Sequence, residues 1–194
     1  MFDRIIVAID DSPGAADARA LAEVLAAPDA KLTTVHVTGH GHDADDVEAD
    51  VTLSGGFTAA IAGFAAQETA DLVVLGTHHH GHLWSANHTH QALNHMPCSV
   101  AVAPDGFAAS AHPFETIGVA YDESTTEAQA ALASARRIAQ ATGAEIQIIE
   151  VVRDSNLPSA ESTQGWKAQQ AGERLAALEG VIVTVLEGDP VTRL

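Results

Sequence analysis

The chain has one cysteine, Cys98, few aromatic residues at 4%, and only 9 lysines and arginines. A single thiol excludes an intramolecular disulfide framework and any metal knuckle of the CxxC type. Against those 9 bases stand 26 acids, for a formal charge of -17. Bare nucleic acid is therefore not an expected partner, because phosphate backbones are held by clustered lysine and arginine. A free anion stays compatible, since backbone N–H groups at a helix start hold phosphate without a lysine. No basic flank leads into a long apolar core, and no apolar run reaches bilayer length. The default expectation is a soluble cytoplasmic protein with no membrane contact. A GxSxG elbow, an HExxH pair and a complete Walker loop are also missing, so catalysis is not the first expectation.

What is there suffices for a real core. At 194 residues and 46% apolar content, the chain makes one large domain or two small ones. "FDRIIVAIDDSP" opens with a β-branched run, Ile5 to Ile9, too short for a helix, and ends on two acids. Ser12 is a suitable N-cap and Pro13 suits the first helical position, so a helix is predicted to start there. "KLTTVHV" is a second strand, His40 to Asp50 a polar loop, "VTL" a short strand and "FTAAIAGFAAQ" a helix. "ADLVVLGT" and "SVAVAP" are further strands. Strands separated by helices predict a parallel α/β sheet covered on both faces.

The plan then starts again. Ile5, Val7, Ala8, Asp10 and Ser12 line up at a constant offset with Ile117, Val119, Ala120, Asp122 and Ser124. Ser124 with Glu127 forms a candidate capping box, and Gly143 is placed to end the helix. "WKAQQAGERLAALEG" is a further helix and "VIVTVLEG" a strand. Such self-similarity is the mark of an internal repeat. Counterparts of "ADLVVLGT" and "SVAVAP" are missing from the second copy.

The stretches "RIIVAIDDSPGA", "ADLVVLGT", "MPCSVAVAP" and "TIGVAYDESTTEAQAAL" resemble the universal stress protein family in its tandem-domain form. The resemblance implies a complete α/β domain over 1–108, Rossmann-like, with strand order 3-2-1-4-5. It implies a partial second copy over 115–194 that lacks its last two strands. It also implies a homodimer through the final strand of the first domain, Ser99 to Ala103. An open edge on the second copy's first strand points the same way, since such an edge needs a cover.

Some members of that family bind ATP. By resemblance, Ala8 and Asp10 at the end of strand one, and Val35 and Val37 around the end of strand two, hold the nucleoside. A loop of the form G-x-x-G-x9-G-S/T holds the phosphates. Gly76 and Thr77 match its start, but the next glycine is Gly81 rather than residue 79. The final pair is replaced by Ala86 and Asn87. The implied function is a non-catalytic stress-response or regulatory protein that binds a nucleotide weakly at the carboxyl ends of the strands. Slow ATP hydrolysis is the alternative from another class, although the loop offers no lysine or arginine to stabilise phosphoryl transfer.

Residues 76–90, "GTHHHGHLWSANHTH", hold six of the chain's 11 histidines. His78, His80 and His82 alternate, as do His88 and His90, so a locally extended chain turns several imidazoles to one side. Zinc accepts three or four such nitrogens, and nickel is a comparable candidate. Asp10 and His36, at neighbouring strand ends, can complete a divalent metal site. A solvated polar loop and a phosphate contact are the other two readings. As for the rest, Asp10 also reads as an acid stabilised by a helix start, and Cys98 as a small core side chain. Calorimetric zinc titration of tag-free protein tests the metal reading. A dedicated site binds one zinc at micromolar affinity or better and loses it when His78, His80 and His82 become alanine. Affinity weaker than about 100 micromolar rules such a site out.

Overall fold

The computed structural model describes residues 1–38, 47–77, 95–110, 114–122, 125–152 and 164–187. The histidine-rich stretch from His78, with Gly81 and Asn87, lies outside the described residues, as do most of the loop after His40, and Ser124. The chain divides into two compact units, Met1–Pro113 and Phe114–Leu194.

In the first unit the run around Ile5 becomes the middle of a sheet. β1 (Phe2–Ala8), α1 (Gly14–Leu25), β2 (Ala26–Thr38), β3 (Val51–Ser54), α2 (Phe57–Gln67), β4 (Leu72–Gly76), β5 (Ser99–Ala103) and a 3-10 turn at Phe107–Ala109 follow in order. Every strand pairing is parallel, and the order is β3-β2-β1-β4-β5, as the resemblance implied. Ile6, Ala8, Val35, Val73 and Leu75 pack against Ile61 and Ala65 of α2. Alternation turns Ile5, Val7, Leu72 and Val74, equally buried, to the opposite face. There α1 buries Ala18, Leu21, Ala22 and Leu25, four positions of one helical stripe, over β1, β4 and β5.

Two expected boundaries differ. Ser12 does not cap α1: its hydroxyl and amide both go to Asp10 Oδ1, and Pro13 takes the cap position with φ -57°. A carboxylate two residues back is a stronger acceptor and wins the serine. β2 begins at Ala26 rather than Lys31, because Ala26 pairs with Phe2 before the register breaks and resumes at Arg4 with Lys31. Pro28 lies in the break, where it has no N–H to give the ladder.

Acids hold this unit at its margins. Asp71 Oδ2 and Oδ1 accept the amides of Asp3 (2.8 Å) and Arg4 (3.0 Å), tying the start of β4 to β1. Asp50 Oδ2 accepts the Thr34 amide at 2.8 Å and its hydroxyl at 2.7 Å, tying the start of β3 to β2. The Thr34 amide, then its hydroxyl, hold the Asp50 carboxyl below the usual carboxylate range, helped by the charge of Arg19. The third such acid, Asp17 on α1, is only 4% exposed. Its Oδ2 and Oδ1 accept the amides of Gly106 (3.0 Å) and Ala108 (2.8 Å) at the 3-10 turn after β5.

The second unit runs β6 (Thr116–Ala120), α3 (Thr126–Thr142), β7 (Glu145–Val152), α4 (Gln164–Leu175) and β8 (Ile182–Glu187). It forms a smaller parallel sheet in the order β6-β7-β8, consistent with a shortened second copy. The cap of α3 falls one residue after the expected one, with Thr125 Oγ1 accepting the Ala128 amide at 3.2 Å. It ends at Gly143 in the left-handed conformation, φ 79°, as expected. Ile117, Val119, Ile146, Ile148 and Val183 share one face by register, and residues of both helices pack on it. The other face carries Gly118, Ala120, Ile149, Val151 and Leu186. Among the described residues of this unit no helix covers it. In the first unit, α2 joins β3 to β4 and covers the corresponding side.

Asp17→Ala leaves two amides without their acceptor in a buried place and is expected to cost about 2–3 kcal/mol. Urea denaturation gives the loss, and faster hydrogen exchange at the Gly106 and Ala108 amides locates it. Asp17→Asn, which keeps one oxygen acceptor, is expected to lose less.

Candidate functional site

β1 lies between β2 and β4, and the chain order reverses beside it. In an open parallel sheet the crevice for a ligand opens there, beyond the carboxyl ends of the strands. Asp10 stands at that point. The Ile9 amide still donates to Val35 O at 2.9 Å, prolonging the ladder by one residue. The chain then leaves the sheet, and the Asp10 carboxylate is turned by the Ser12 amide, 3.1 Å from Oδ1. On the neighbouring strand the His36 ring sits half-buried, with Nδ1 3.1 Å from Ile9 O. A carbonyl oxygen only accepts, so in the neutral ring Nδ1 carries the hydrogen and Nε2 keeps its lone pair.

The other residues implied by resemblance have structural duties of their own. Ala8 and Val35 are core residues at 5% and 0% exposure, so only their backbone can meet a ligand. Val37 is partly buried against the α2 cluster. Thr77 spends both its amide and its hydroxyl on Ala103 O, each at 3.0 Å. Gly76 approaches a backbone of this same chain. A Cβ there would lie 2.3 Å from Gly14 O at the start of α1. Packing alone thus demands glycine at this position, whatever else it serves.

The second unit repeats the frame with other chemistry. The Tyr121 amide donates to Ile149 O at 2.9 Å, the counterpart of the Ile9 bond, and Asp122 follows as Asp10 does. By strand register, Ile149 answers to Val35 and Glu150 to His36. Glu150 pairs with Arg174 of α4 at 3.1 Å. An open cleft of about 720 Å³ at these strand ends is lined by Tyr121, Asp122, Thr125, Glu127, Ile149 and Glu150 among others. Three carboxylates around one cleft oppose a polyanion. Asp17, Tyr121 and the Glu150–Arg174 pair were not singled out by sequence reasoning. An acid on the apolar stripe of a helix, as Asp17 is beside Ala18 and Leu21, was the one available signal.

Cys98 packs beside the α2 cluster, and burial, with the negative charge of Asp71, pushes its thiol up. It is therefore a poor nucleophile at neutral pH. Among the described residues, no group of three or more histidines, cysteines and acids is placed to hold a metal ion. Among the same residues, no helix is long and apolar enough to cross a membrane.

A parallel sheet of this order defines the class: a Rossmann-like α/β fold. The Universal stress protein family matches residues 41–104. A universal stress protein of Pseudomonas aeruginosa UCBPP-PA14 is similar in structure with a TM-score of 0.67 at 14% identity, over 97% of this chain and 75% of that one. One from Archaeoglobus fulgidus DSM 4304 gives 0.60 at 15% identity, over 98% and 78%. The cytoplasmic domain of a prokaryotic cation chloride cotransporter gives 0.52 at 11%, over 98% and 81%. No curated protein matches significantly. At these identities the likeness carries the fold.

Gly76→Ala is expected to destabilise the first unit by at least about 2 kcal/mol, because the clash is with backbone. A lowered urea midpoint in ligand-free protein checks this. An unchanged midpoint would overturn the packing requirement for glycine at this position.

Proposed function

We propose that the protein is a non-catalytic regulatory protein of the stress-response type, binding a nucleotide weakly at the carboxyl ends of the first unit's strands. The observation that carries the reading is Asp10, placed at the strand-order reversal and oriented by the Ser12 amide. The resemblance of the first unit to ATP-binding members supplies the ligand class. Weakness follows from the departures in the loop and from the absence of any lysine or arginine between Gly76 and Ser110. The same lack disfavours the alternative of slow ATP hydrolysis, since phosphoryl transfer needs positive charge on the transferring group.

Calorimetry with ATP tests the proposal. One nucleotide per chain is expected, at a Kd of roughly 10 micromolar to 1 millimolar. Asp10→Ala is expected to weaken it about tenfold, while Asp122→Ala leaves it unchanged. Product analysis over the same samples should find no turnover beyond one ATP per chain. Repeated turnover would move the protein into the hydrolase class.

A further inference from the structure

β6 corresponds to β1, and β1 has β2 on one side and β4 on the other. Among the described residues β6 pairs with β7 alone. Along a strand, successive residues turn their N–H and C=O groups to opposite sides. Glu115 O accepts the Glu145 amide and the Tyr121 amide donates to Ile149 O, each at 2.9 Å, so the odd-numbered residues serve β7. Thr116, Gly118 and Ala120 turn theirs the other way. In β1 that is the side on which Arg4 O, the counterpart of Thr116, accepts the Asp71 amide at 3.0 Å at the start of β4. Thr116, Gly118 and Ala120 are all exposed. A Cβ on Gly118 would meet Ile149 Cδ1 at 3.7 Å and nothing nearer. Proteins guard such an edge with lysine, proline or a bulge. β6 reads TIGVA, and its register with β7 is unbroken.

This edge is complementary to itself. Its outward groups are symmetric about Gly118, the middle residue of the strand. With a second copy turned antiparallel and Gly118 set opposite Gly118, Thr116 meets Ala120, and each opposed pair exchanges both hydrogen bonds. The small side chains at these three positions let the two backbones approach. Like charges directly opposite each other would oppose the pairing, and the chain carries a formal charge of -17. In this register the acids at the strand ends avoid one another: Glu115 falls opposite Tyr121, and Asp122 opposite Phe114. A two-fold contact of this kind closes on itself and leaves β6 no edge. Two three-stranded sheets then become one of about six strands, an ordinary size. We propose that β6 is an interface between two copies of this chain, paired antiparallel about Gly118. It is separate from the β5 contact that the resemblance implies, and independent of the nucleotide reading.

Disulfide trapping in the full chain, with the native thiol removed as Cys98→Ala, tests the inference and its register. Opposed residues of a hydrogen-bonded antiparallel pair have Cα atoms about 5.5 Å apart, within the span of a disulfide. Gly118→Cys is therefore expected to yield a covalent dimer on mild oxidation. Thr116→Cys alone is expected to yield none, because its two copies lie ~13 Å apart along the strands. Thr116→Cys combined with Ala120→Cys is expected to cross-link again. Sedimentation equilibrium supplies a measurement without cysteines. Gly118→Glu sets two carboxylates face to face across the two-fold, and is expected to weaken self-association at least tenfold with an unchanged circular dichroism spectrum. A chain that stays monomeric overturns the inference. So does cross-linking through Thr116→Cys as efficient as through Gly118→Cys, which would mean random collision or another register. Association that survives Gly118→Glu, with trapping at Ala101→Cys instead, assigns the contact to β5 and also overturns it.

Discussion

Carboxylates that accept backbone N–H groups hold the first sheet together where its strands begin and where its chain turns away. Asp71 closes β4 onto β1, Asp50 closes β3 onto β2, and Asp17 holds the turn after β5. Charge-assisted bonds of this kind are stronger than neutral ones, and they need no cationic side chain. That suits a chain with so few lysines and arginines. Part of its strong acidity is thus structural, spent on amides rather than displayed to a partner. The same preference appears at the reversal point, where Asp10 captures the amide and hydroxyl of Ser12 and displaces serine from its usual helix-capping duty.

The two units share a backbone frame and differ in what hangs on it. Ile9 and Tyr121 make the same ladder bond with the same length, and an aspartate follows each. One step along the adjoining strand, histidine stands in the first unit and an ion-paired glutamate in the second. Coverage differs as well. The first sheet is packed on both faces, whereas α3 and α4 share one face of the second. Repetition of sequence has carried over the strand-end geometry without carrying over the chemistry at the step beside it.

Much of this was legible in the letters, for physical reasons that can be named. The β-branched run at Ile5 has few alternatives to a buried strand, and the stripe Phe57, Ile61, Phe64 defined α2 to its observed ends. Gly143 announced a left-handed cap because few other residues tolerate one. The strand order came from resemblance, not from periodicity. What stayed hidden depends on partners distant in the chain. Ala26 joins β2 only because Phe2 is there to pair with it. Gly76 looks like a phosphate-loop glycine until Gly14 is found against it. At the candidate site Asp10 was legible from its place at a strand end. His36 was noticed as a neighbour, but its fixed ring nitrogen required the Ile9 carbonyl.

The Asp17 bonds have a consequence in time. They join the first helix to amides 89 and 91 residues further along, across nearly the whole first unit. A chain emerging from the ribosome exposes Asp17 early, yet the amides it needs are made only after every strand of that sheet has been synthesised. Contacts of such long separation form late, because loop closure precedes any gain from them. During synthesis α1 therefore carries a carboxylate on its apolar stripe with nothing to neutralise its cost. The helix is discouraged from settling firmly on an incomplete sheet, and the last turn to arrive secures it.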